Sequence, residues 1–357
     1  MKKVSVIVPC YNAARYLNKC IDQLLCQTIG INNIEIILVD DASADEGETK
    51  KVIQGYEQRF SETITAVFLE NNMRQGGARN VGMIYAEGEY LMFCDADDWL
   101  LAEALEHTYH TAKRYDADVV FFGRKNVAAH GFDVQLEKGD KDALFELEET
   151  EKRKKFLLNT EQPGYSSQNA LFKRSLIKEN HITFAEHLIM EEPSFTVPVR
   201  LYAKRCCYLD ESLYICYLSS ESTLRNNHWE LRKWDNLQMW IGLIENLEAR
   251  AIFSAYQKEI EYLFFTLGVG WSLSTLFIRR CILTKEEWKI FADIMQKMLP
   301  AIKENPYIKN IEHPFNRAWN DLLFKVLDMD FTDENVEMVN QAMTECTRAF
   351  SMCPVLC

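Results

Sequence analysis

The sequence lacks the patterns of several protein classes. It contains no internal repeat or low-complexity tract, and 48% of its 357 residues are hydrophobic, so a disordered chain is not expected. None of the 11 cysteines forms a CxxC pair or has metal-ligand spacing, so no zinc module is indicated. The formal net charge of -13 leaves no excess of basic residues, and this argues against general nucleic-acid binding.

The chain also shows no secretory leader and no unambiguous membrane span. Met1-Lys2-Lys3 is followed by only a short apolar run over residues 4–9, and we expect a reducing, cytoplasmic compartment with free thiols. One uncharged stretch, Tyr262–Ile278, falls at or below the usual minimum for a spanning helix. We predict a buried helix there, and the alternative is a helix that inserts into a membrane surface.

Strand and helix patterns alternate in the first half of the chain. Such alternation predicts βαβ units and an α/β fold with a mostly parallel sheet. Beyond His228 the pattern is helical, so we predict an α/β domain over residues 1–225 and a helical domain over residues 226–357. The predicted strands are Val4–Pro9, Ile34–Val39, Ile64–Leu69, Tyr90–Cys94 and Asp118–Gly123, and the predicted helices are Arg15–Gln27, Glu46–Phe60, Gly77–Ala86 and Leu101–Tyr115.

An acidic cluster follows the fourth predicted strand, where residues 90–94 end in Asp95-Ala96-Asp97-Asp98. Open α/β sheets bind ligands at the carboxyl ends of their strands. Three carboxylates at one strand end repel each other unless a cation or hydrogen-bond donors compensate. Mg²⁺ typically uses one or two carboxylates together with substrate phosphates. The cluster therefore indicates a metal site, with a solvated turn that caps a helix as the alternative.

Three more loops carry polar or glycine residues directly after predicted strands. A carboxylate at Asp40 or Asp41 can accept from a base N–H or a ribose hydroxyl, although Asp41 can instead cap the next helix. Gly76 permits a close backbone approach to a ligand. Arg79 can pair with a phosphate or with Asp95, or form an ion pair inside the domain. The three segments are Pro9-Cys10-Tyr11-Asn12, Asp40-Asp41-Ala42-Ser43 and residues 71–80.

In this order and spacing, the four loops resemble the nucleotide-sugar-binding half of glycosyltransferase family 2, which has the GT-A fold. The resemblance covers about residues 1–225 and is strongest over residues 1–100. It implies a Rossmann-like, mostly parallel sheet flanked by helices, and it implies that Asp97 binds a divalent metal, Mn²⁺ or Mg²⁺. The nucleotide-sugar-binding residues that it implies are Pro9, Tyr11, Asn12, Asp40, Asp41, Gly76, Arg79, Asp95 and Ala96.

Residues 171–184 are similar to the segment that precedes the catalytic base in this family. They lead to Glu191 and Glu192, and Glu192 falls where the family has its catalytic Asp; Glu191 is the alternative base. A base there takes the proton of the acceptor hydroxyl as its oxygen attacks the anomeric carbon. The chain departs from the family at Gln168 and Ala170, where a Trp and a Lys are common, and again over residues 215–218. These departures leave the acceptor open.

The resemblance implies an inverting, metal-dependent glycosyltransferase. It would move a sugar from a nucleoside-diphosphate sugar, most often a UDP-sugar, to a glycan or lipid-linked acceptor during surface-polysaccharide synthesis. A nucleotidyltransferase is a weaker alternative, because its Gly-rich, Lys-containing first loop is absent. The other alternative is a non-catalytic nucleotide-sugar-binding or scaffold protein with a degenerated acceptor half. Acceptor docking, homodimerisation and contact with the inner face of the plasma membrane are the roles open to the helical region.

Overall fold

The computed structural model describes residues 2–128, 134–159, 164–218, 232–310 and 314–351. Contacts within the chain divide it into two units, Met1–Asn226 and Asn227–Cys357. The domain boundary predicted near residue 225 lies outside the described residues, so its position stays a prediction.

Within the described residues, a mixed sheet of nine strands forms the centre of the first unit. The spatial order is β3-β2-β1-β4-β8-β6-β9-β5, and β7 pairs with β9. The strands are β1 Val4–Cys10, β2 Ile34–Asp40, β3 Ile64–Phe68, β4 Tyr90–Phe93, β5 Trp99–Leu100, β6 Val119–Val127, β7 Ala143–Glu146, β8 Ala170–Lys173 and β9 Arg205–Tyr217.

Parallel pairing joins the strands that carry the predicted site. β2 pairs in parallel with β1 and β3, and β1 pairs in parallel with β4, so the carboxyl ends of these four strands share one edge. The later strands are mixed: β8 runs antiparallel to β4 and β6, while β9 is parallel to β6 and antiparallel to β5 and β7. The predicted α/β fold is confirmed, and each of the antiparallel pairs named here includes β8 or β9 from the second half of the unit.

Hydrophobic cores cover both faces of this sheet. Alternate residues of β1 enter different cores, because successive side chains of a strand point to opposite faces. Val6 and Val8 belong to one buried cluster, and Ile7 belongs to the other. The helices that cover these faces are α1 Ala14–Leu25, α2 Glu48–Arg59, α3 Arg74–Tyr85, α4 Ala104–Tyr115, α5 Thr150–Leu158, α6 Arg174–Glu179 and α7 Glu192–Tyr202.

The second unit is helical throughout its described residues, as its sequence predicts. Its helices are Asp235–Ala249, Gln257–Leu263, Trp271–Ile278, Lys285–Met298, Pro306–Lys309, Pro314–Asp328 and Asp333–Ser351, with a π-helix at Phe264–Gly270 and 3₁₀ turns at Phe253–Tyr256 and Ile302–Glu304. Proline is best tolerated in the first turn of a helix, because in the interior it removes a backbone hydrogen bond. Accordingly, one helix ends shortly before Pro300, and two others begin at Pro306 and Pro314.

One helical stretch of the second unit is long and apolar enough to cross a membrane, judged by length and composition alone. It covers Phe253–Ile278, 26 residues, and has a mean hydropathy of 1.3 in its most apolar part. Phe264, Val269 and Leu273 within it are completely buried. This burial is what a core helix shows, in agreement with the prediction of a buried helix.

Candidate active site

The loops that follow β1 and β2 are hydrogen-bonded to each other. The backbone N–H of Asn12 donates to Ser43 Oγ at 2.9 Å, and the backbone N–H of Ala44 donates to the side-chain Oδ1 of Asn12 at 2.7 Å. Tyr11 keeps 48% of its surface exposed beside them, whereas Pro9 is buried within β1. The structure brings these two loops together because β1 and β2 are parallel neighbours.

Asp40 and Asp41, at the end of β2, contact different partners. Asp40 accepts from both the N–H and the hydroxyl of Ser43. Asp41 accepts from the Met73 N–H at 2.6 Å, so it holds the loop before α3 instead of capping the helix that follows it in sequence. Burial raises the pKa of Asp41 to about 6. The second strand end is thereby connected to the loop after β3.

The aspartates after β4 lie in different surroundings. Asp98 is buried, and its two oxygens accept from the Tyr214 hydroxyl at 2.6 Å and the Tyr217 N–H at 2.7 Å. Burial and then the nearby Asp95 and Asp97 raise its pKa to about 8. Burial and then Asp95 raise the pKa of Asp97 to about 6. Burial and like-charge repulsion both penalise the ionised forms of these carboxyl groups, and a bound cation would favour those forms.

Arg79 forms a buried ionic bridge between two elements of the site. Its side chain is fully buried; Nη2 donates to Asp95 Oδ1 at 2.7 Å, and Nη1 pairs with Glu191 Oε1. Burial raises the pKa of Glu191, although Arg79 opposes the shift. Of the options considered for Arg79 from the sequence, the structure has both the contact with Asp95 and an ion pair inside the domain, with Glu191. The guanidinium therefore connects the end of β4 with the residue that precedes α7.

The backbone at Gly76 makes a close approach, as expected for a glycine, but it approaches another segment of the chain and not a ligand. A Cβ atom at this position would lie 2.1 Å from the Ala185 carbonyl oxygen and 3.0 Å from Glu191 Cγ. A side chain would force α3 away from the 185–191 segment. Glycine at this position thus allows Arg79, one turn later in the same helix, to reach Glu191.

Glu192 begins α7 and has a different environment from its neighbour. The N–H and the hydroxyl of Ser167 both donate to its Oε1 at 3.0 Å, and its side chain is partly exposed. Its other oxygen has no hydrogen-bond partner among the described residues. Glu191, by contrast, is buried against Arg79. The two carboxylates therefore offer one constrained, accessible acceptor and one internal ion-pair partner.

Several loops around these side chains adopt an unfavourable backbone conformation. Asn12, Ala42, Arg74 and Met190 are non-glycine residues with φ between 50° and 65°. Such residues cost on the order of 1–3 kcal/mol each and concentrate at functional sites. Each of the four belongs to, or directly adjoins, one of the segments singled out from the sequence. Non-glycine residues with positive φ also occur elsewhere, at Asp116, Ala251 and Arg280, so this conformation does not by itself distinguish the site.

The structure also tests whether these residues suit a metal ion. Within the described residues, no three His, Cys, Asp or Glu side chains are grouped as a metal site. Asp95 and Asp98 use their oxygens for protein donors, and Ala96 between them is buried. No described side chain donates to the Asp97 carboxylate. A carboxylate with no donor among the described side chains fits an ion that completes its coordination with phosphates and water, as Mg²⁺ commonly does.

Three residues of the site make contacts that have no signal in the local sequence. The Tyr214 hydroxyl accepts from the Asp95 N–H at 3.1 Å and donates to Asp98. Gln168 donates to Asp95 at 3.0 Å, and Ser167 binds Glu192. The sequence marks Gln168 only as a departure from the family pattern. These contacts depend on β8 lying beside β4 and β9 lying beside β5, which short-range patterns do not reveal.

The family match covers the part of the chain that contains most of the contacts described above. Residues 5–180 match the family model for Glycosyl transferase family 2. The first unit therefore contains a glycosyltransferase family 2 domain. The predicted family is confirmed, and the match includes the four loops at the strand ends but stops before Glu191 and Glu192.

This domain is similar to several enzymes whose names contain poly(ribitol-phosphate). The Bacillus spizizenii poly(ribitol-phosphate) beta-glucosyltransferase is 29% identical over 204 residues, 57% of this chain and 30% of the relative. Staphylococcus aureus TarS is 30% identical over 216 residues, 60% of this chain and 35% of the relative. S. aureus TarP, also a beta-N-acetylglucosaminyltransferase, is 29% identical over 252 residues, 70% of this chain and 72% of the relative. The chain spans about a third of the length of the first two relatives.

Solved structures share the fold. S. aureus TarS 1-349 in complex with UDP-GlcNAc matches with a TM-score of 0.70 at 23% identity, over 96% of this chain and 92% of that chain. The Pyrobaculum calidifontis mannosyltransferase PcManGT, in complex with GDP-Man and Mn²⁺, matches with a TM-score of 0.50 at 15% identity, over 99% of this chain and 88% of that chain. At these identities the likeness concerns the fold alone, and it agrees with the predicted GT-A type.

Proposed function

We propose that this protein is an inverting glycosyltransferase. It transfers a sugar from a nucleoside-diphosphate sugar, most directly a UDP-sugar, to a hydroxyl group of a glycan, polyol-phosphate or lipid-linked acceptor of the cell surface. The observation that carries the proposal is the connection of Asp95, at the end of β4, to both Glu191 and the segment that binds Glu192. The names of the similar poly(ribitol-phosphate) transferases support the acceptor class.

The nucleoside is assigned to the ends of β1 and β2. Asp40 and Asp41 supply carboxylate acceptors for a base N–H or a ribose hydroxyl, and Asn12 adds an amide beside them. The exposed ring of Tyr11 can stack on a base, since every base has an aromatic face. Asp95 and the backbone around Ala96 then lie next to the ribose and diphosphate, and Pro9 and Gly76 support these loops through the backbone.

The diphosphate is assigned to the strand end that carries Asp97. This side chain would hold a Mn²⁺ or Mg²⁺ ion, whose charge stabilises the leaving diphosphate when it is bound. The pKa of about 6 at Asp97 indicates a carboxylate whose ionisation is held back by burial and by Asp95, and a nearby cation would favour its charged form. PcManGT, which shares the fold, binds Mn²⁺ together with its nucleotide sugar.

Glu192 is the proposed base. Ser167 holds one of its oxygens, and the second oxygen is left to take the acceptor's proton while the acceptor oxygen attacks the anomeric carbon. Glu191 suits this role less, because it is buried and paired with Arg79. A glutamate reaches one methylene further than the family's aspartate, so a positional constraint from Ser167 is chemically useful.

A ligand screen followed by a transfer assay tests the function. UDP, GDP, CDP and dTDP are added to the protein with Mn²⁺ or with EDTA, and the melting temperature is measured. A ligand at 100 times its Kd stabilises a folded protein by about 2.7 kcal/mol, so specific binding is readily detected. We expect stabilisation by UDP that requires the metal, and release of UDP from a UDP-sugar in the presence of an acceptor. Equal melting temperatures in all samples would contradict the proposal.

A second candidate is a non-catalytic nucleotide-sugar-binding protein. The glutamate at position 192 favours it, because a displaced base can reduce the rate of transfer strongly. Metal-dependent UDP binding without transfer or donor hydrolysis would establish this alternative.

We also propose a cytoplasmic location. Nine cysteines of the described residues are free thiols, which fits a reducing compartment. Attachment to the inner face of the plasma membrane and homodimerisation through the helical unit stay predictions. Sedimentation with vesicles and measurement of the solution mass test them.

A further inference from the structure

One face of α7 binds a short segment that precedes β8. Residues at positions i, i+4 and i+8 of a helix lie on one face. Three such residues bind successive parts of Gly164–Gln168, which we call the tether segment. The three pairs are Arg200 with the Gly164 carbonyl at 2.8 Å, Thr196 with the Tyr165 carbonyl at 3.2 Å, and Glu192 with the Ser167 N–H at 3.0 Å.

The next residue of the tether segment reaches the opposite side of the site. Gln168 Nε2 donates to Asp95 Oδ2 at 3.0 Å. The Ser166 hydroxyl donates to Gln168 Oε1, and this orients the amide so that its NH₂ group faces Asp95. The other oxygen of Asp95 is held by Arg79. Both oxygens of this carboxylate are therefore fixed by protein donors.

Two adjacent residues thus hold two carboxylates that belong to different elements. Ser167 is fully buried and fixes Glu192 at the start of α7, and Gln168 fixes Asp95 at the end of β4. Adjacent residues of one chain cannot separate, so the distance between these carboxylates is constrained. A displacement of about 1 Å in an active site can reduce the rate by roughly 10²-fold. A glutamate base has one more rotatable bond than an aspartate, which makes the constraint more consequential.

We propose that Ser167 and Gln168 are positioning residues, which hold the base Glu192 in register with the donor-side Asp95. This inference rests on the proposed function and deepens it. Gln168 departs from the family pattern, and the inference gives it the task of aligning the donor site with the base. Neither residue is given a direct contact with the reacting atoms.

The substitution Gln168→Glu tests the Asp95 half. At neutral pH the new carboxyl group is ionised and repels Asp95, so we expect kcat/KM for the donor to fall about 10- to 100-fold. As the pH is lowered, the new group takes up a proton and can donate again. The ratio of variant to wild-type activity should therefore rise toward pH 5. A purely structural loss would not produce this pH signature.

A matched control is available in the second unit. Gln341 donates to Glu345 at 2.9 Å on an exposed helix surface, so Gln341→Glu makes the same chemical change outside the site. We expect its kcat/KM to equal that of the wild type at every pH. If Gln168→Glu does not fold, Gln168→Met removes the donor without adding charge, and a loss of activity at all pH values is then expected.

The substitution Ser167→Ala tests the Glu192 half. It removes the hydroxyl donor but keeps the backbone N–H, so we expect kcat to fall about 3- to 10-fold with little change in donor KM. A matching rise in donor KM with no change in kcat, or unchanged kcat, would overturn this half of the inference.

The outcomes separate the inference from the proposed function. Wild-type protein that transfers sugar, combined with Gln168→Glu activity equal to wild type from pH 5 to 8, would overturn the inference alone. Wild-type protein that binds UDP but transfers no sugar would overturn the proposed function and the Glu192 half with it. In that case, weaker UDP binding by Gln168→Glu would still support the Asp95 half, and equal binding would overturn it.

Discussion

Buried charges are arranged differently in the two units of this protein. In the first unit, like charges adjoin one another: Asp95, Asp97 and Asp98 follow a single strand, and the pKa values of the latter two rise to about 6 and about 8. In the second unit, the buried Glu259 accepts from the Tyr307 hydroxyl at 2.6 Å. Tyr307 thus accommodates Glu259 as Tyr214 accommodates Asp98. Asp98 also adjoins Asp95 and Asp97, which oppose its ionisation unless something else compensates them.

This difference separates a site from a core. Perturbed pKa values cluster where a protein prepares chemistry, because burial and like charges are tolerated there for a function. Neutral hydrogen bonds such as Trp288 Nε1–Asn340 Oδ1, at 3.1 Å, instead satisfy polar atoms inside the helical unit. Substitutions in the charged edge of the first unit should therefore change binding or rate, and those in the second unit should change stability alone.

The largest effect is expected at Glu192. Replacement by Gln removes the proposed base but keeps an oxygen for Ser167, so kcat should fall by about 10²- to 10⁴-fold while UDP binding and melting temperature stay the same. Steady-state transfer kinetics and a thermal melt measure the two properties. Glu191→Gln is the neighbouring control and should lower the melting temperature, since it weakens the pair with Arg79. Equal kcat values for wild type and Glu192→Gln would remove Glu192 from the mechanism.

The next effect concerns the ionic bridge of Arg79. Arg79→Met leaves Asp95 and Glu191 without their buried cation, and loss of one partner from a buried pair typically costs about 3–5 kcal/mol. Urea denaturation measures the free energy of unfolding. Lys51→Met is the matched control because its pair with Glu48 is exposed, and no measurable change is expected there. A loss below about 1 kcal/mol for Arg79→Met would show that the bridge does not stabilise the fold.

A substitution at Asp41 should increase the free energy of unfolding, whereas the substitution at Arg79 decreases it. Its pKa of about 6 exceeds the usual 3.8, so between these values the folded state binds more protons than the unfolded state, and stability falls as pH rises. Asp41→Asn removes this loss. It should raise the free energy of unfolding at pH 7 by on the order of 2 kcal/mol, after a discount for solvent screening, and weaken UDP binding. Urea denaturation at pH 7 and pH 4.5 checks this, and a gain of equal size at both values would contradict it.

The fold is predictable from sequence where burial leaves one option. The bounds of β1 and β2 agree with the expected strands within one residue, because continuous apolar runs bounded by polar loops suit a strand covered on both faces. β7, in contrast, is absent from the predicted strands, because Ala143–Glu146 lies in a stretch rich in Lys, Glu and Asp. Its residues alternate between half-buried and exposed, and among the described strands β9 is its pairing partner.

The site divides in a similar way. The loops at the ends of β1, β2 and β4 are predictable as neighbours, because parallel strands bring their carboxyl ends to one edge. The contacts of Gln168 and Tyr214 with Asp95 are not, since they join positions 73 and 119 residues apart. Residue type alone also left Arg79 with three partners. Only the packing of α3 against the segment before α7, permitted by Gly76, decides among them.

The smallest effect is expected in the second unit, at the start of the helix Lys285–Met298. Thr284 accepts from the Glu287 N–H, and Glu287 accepts in return from the Thr284 N–H, which forms a capping box. Thr284→Ala should lower the free energy of unfolding by about 1 kcal/mol and leave UDP binding unchanged. Thr284→Ser, which keeps the hydroxyl, is the control. A change in UDP affinity would break the comparison, because it would connect the helical unit to the nucleotide site.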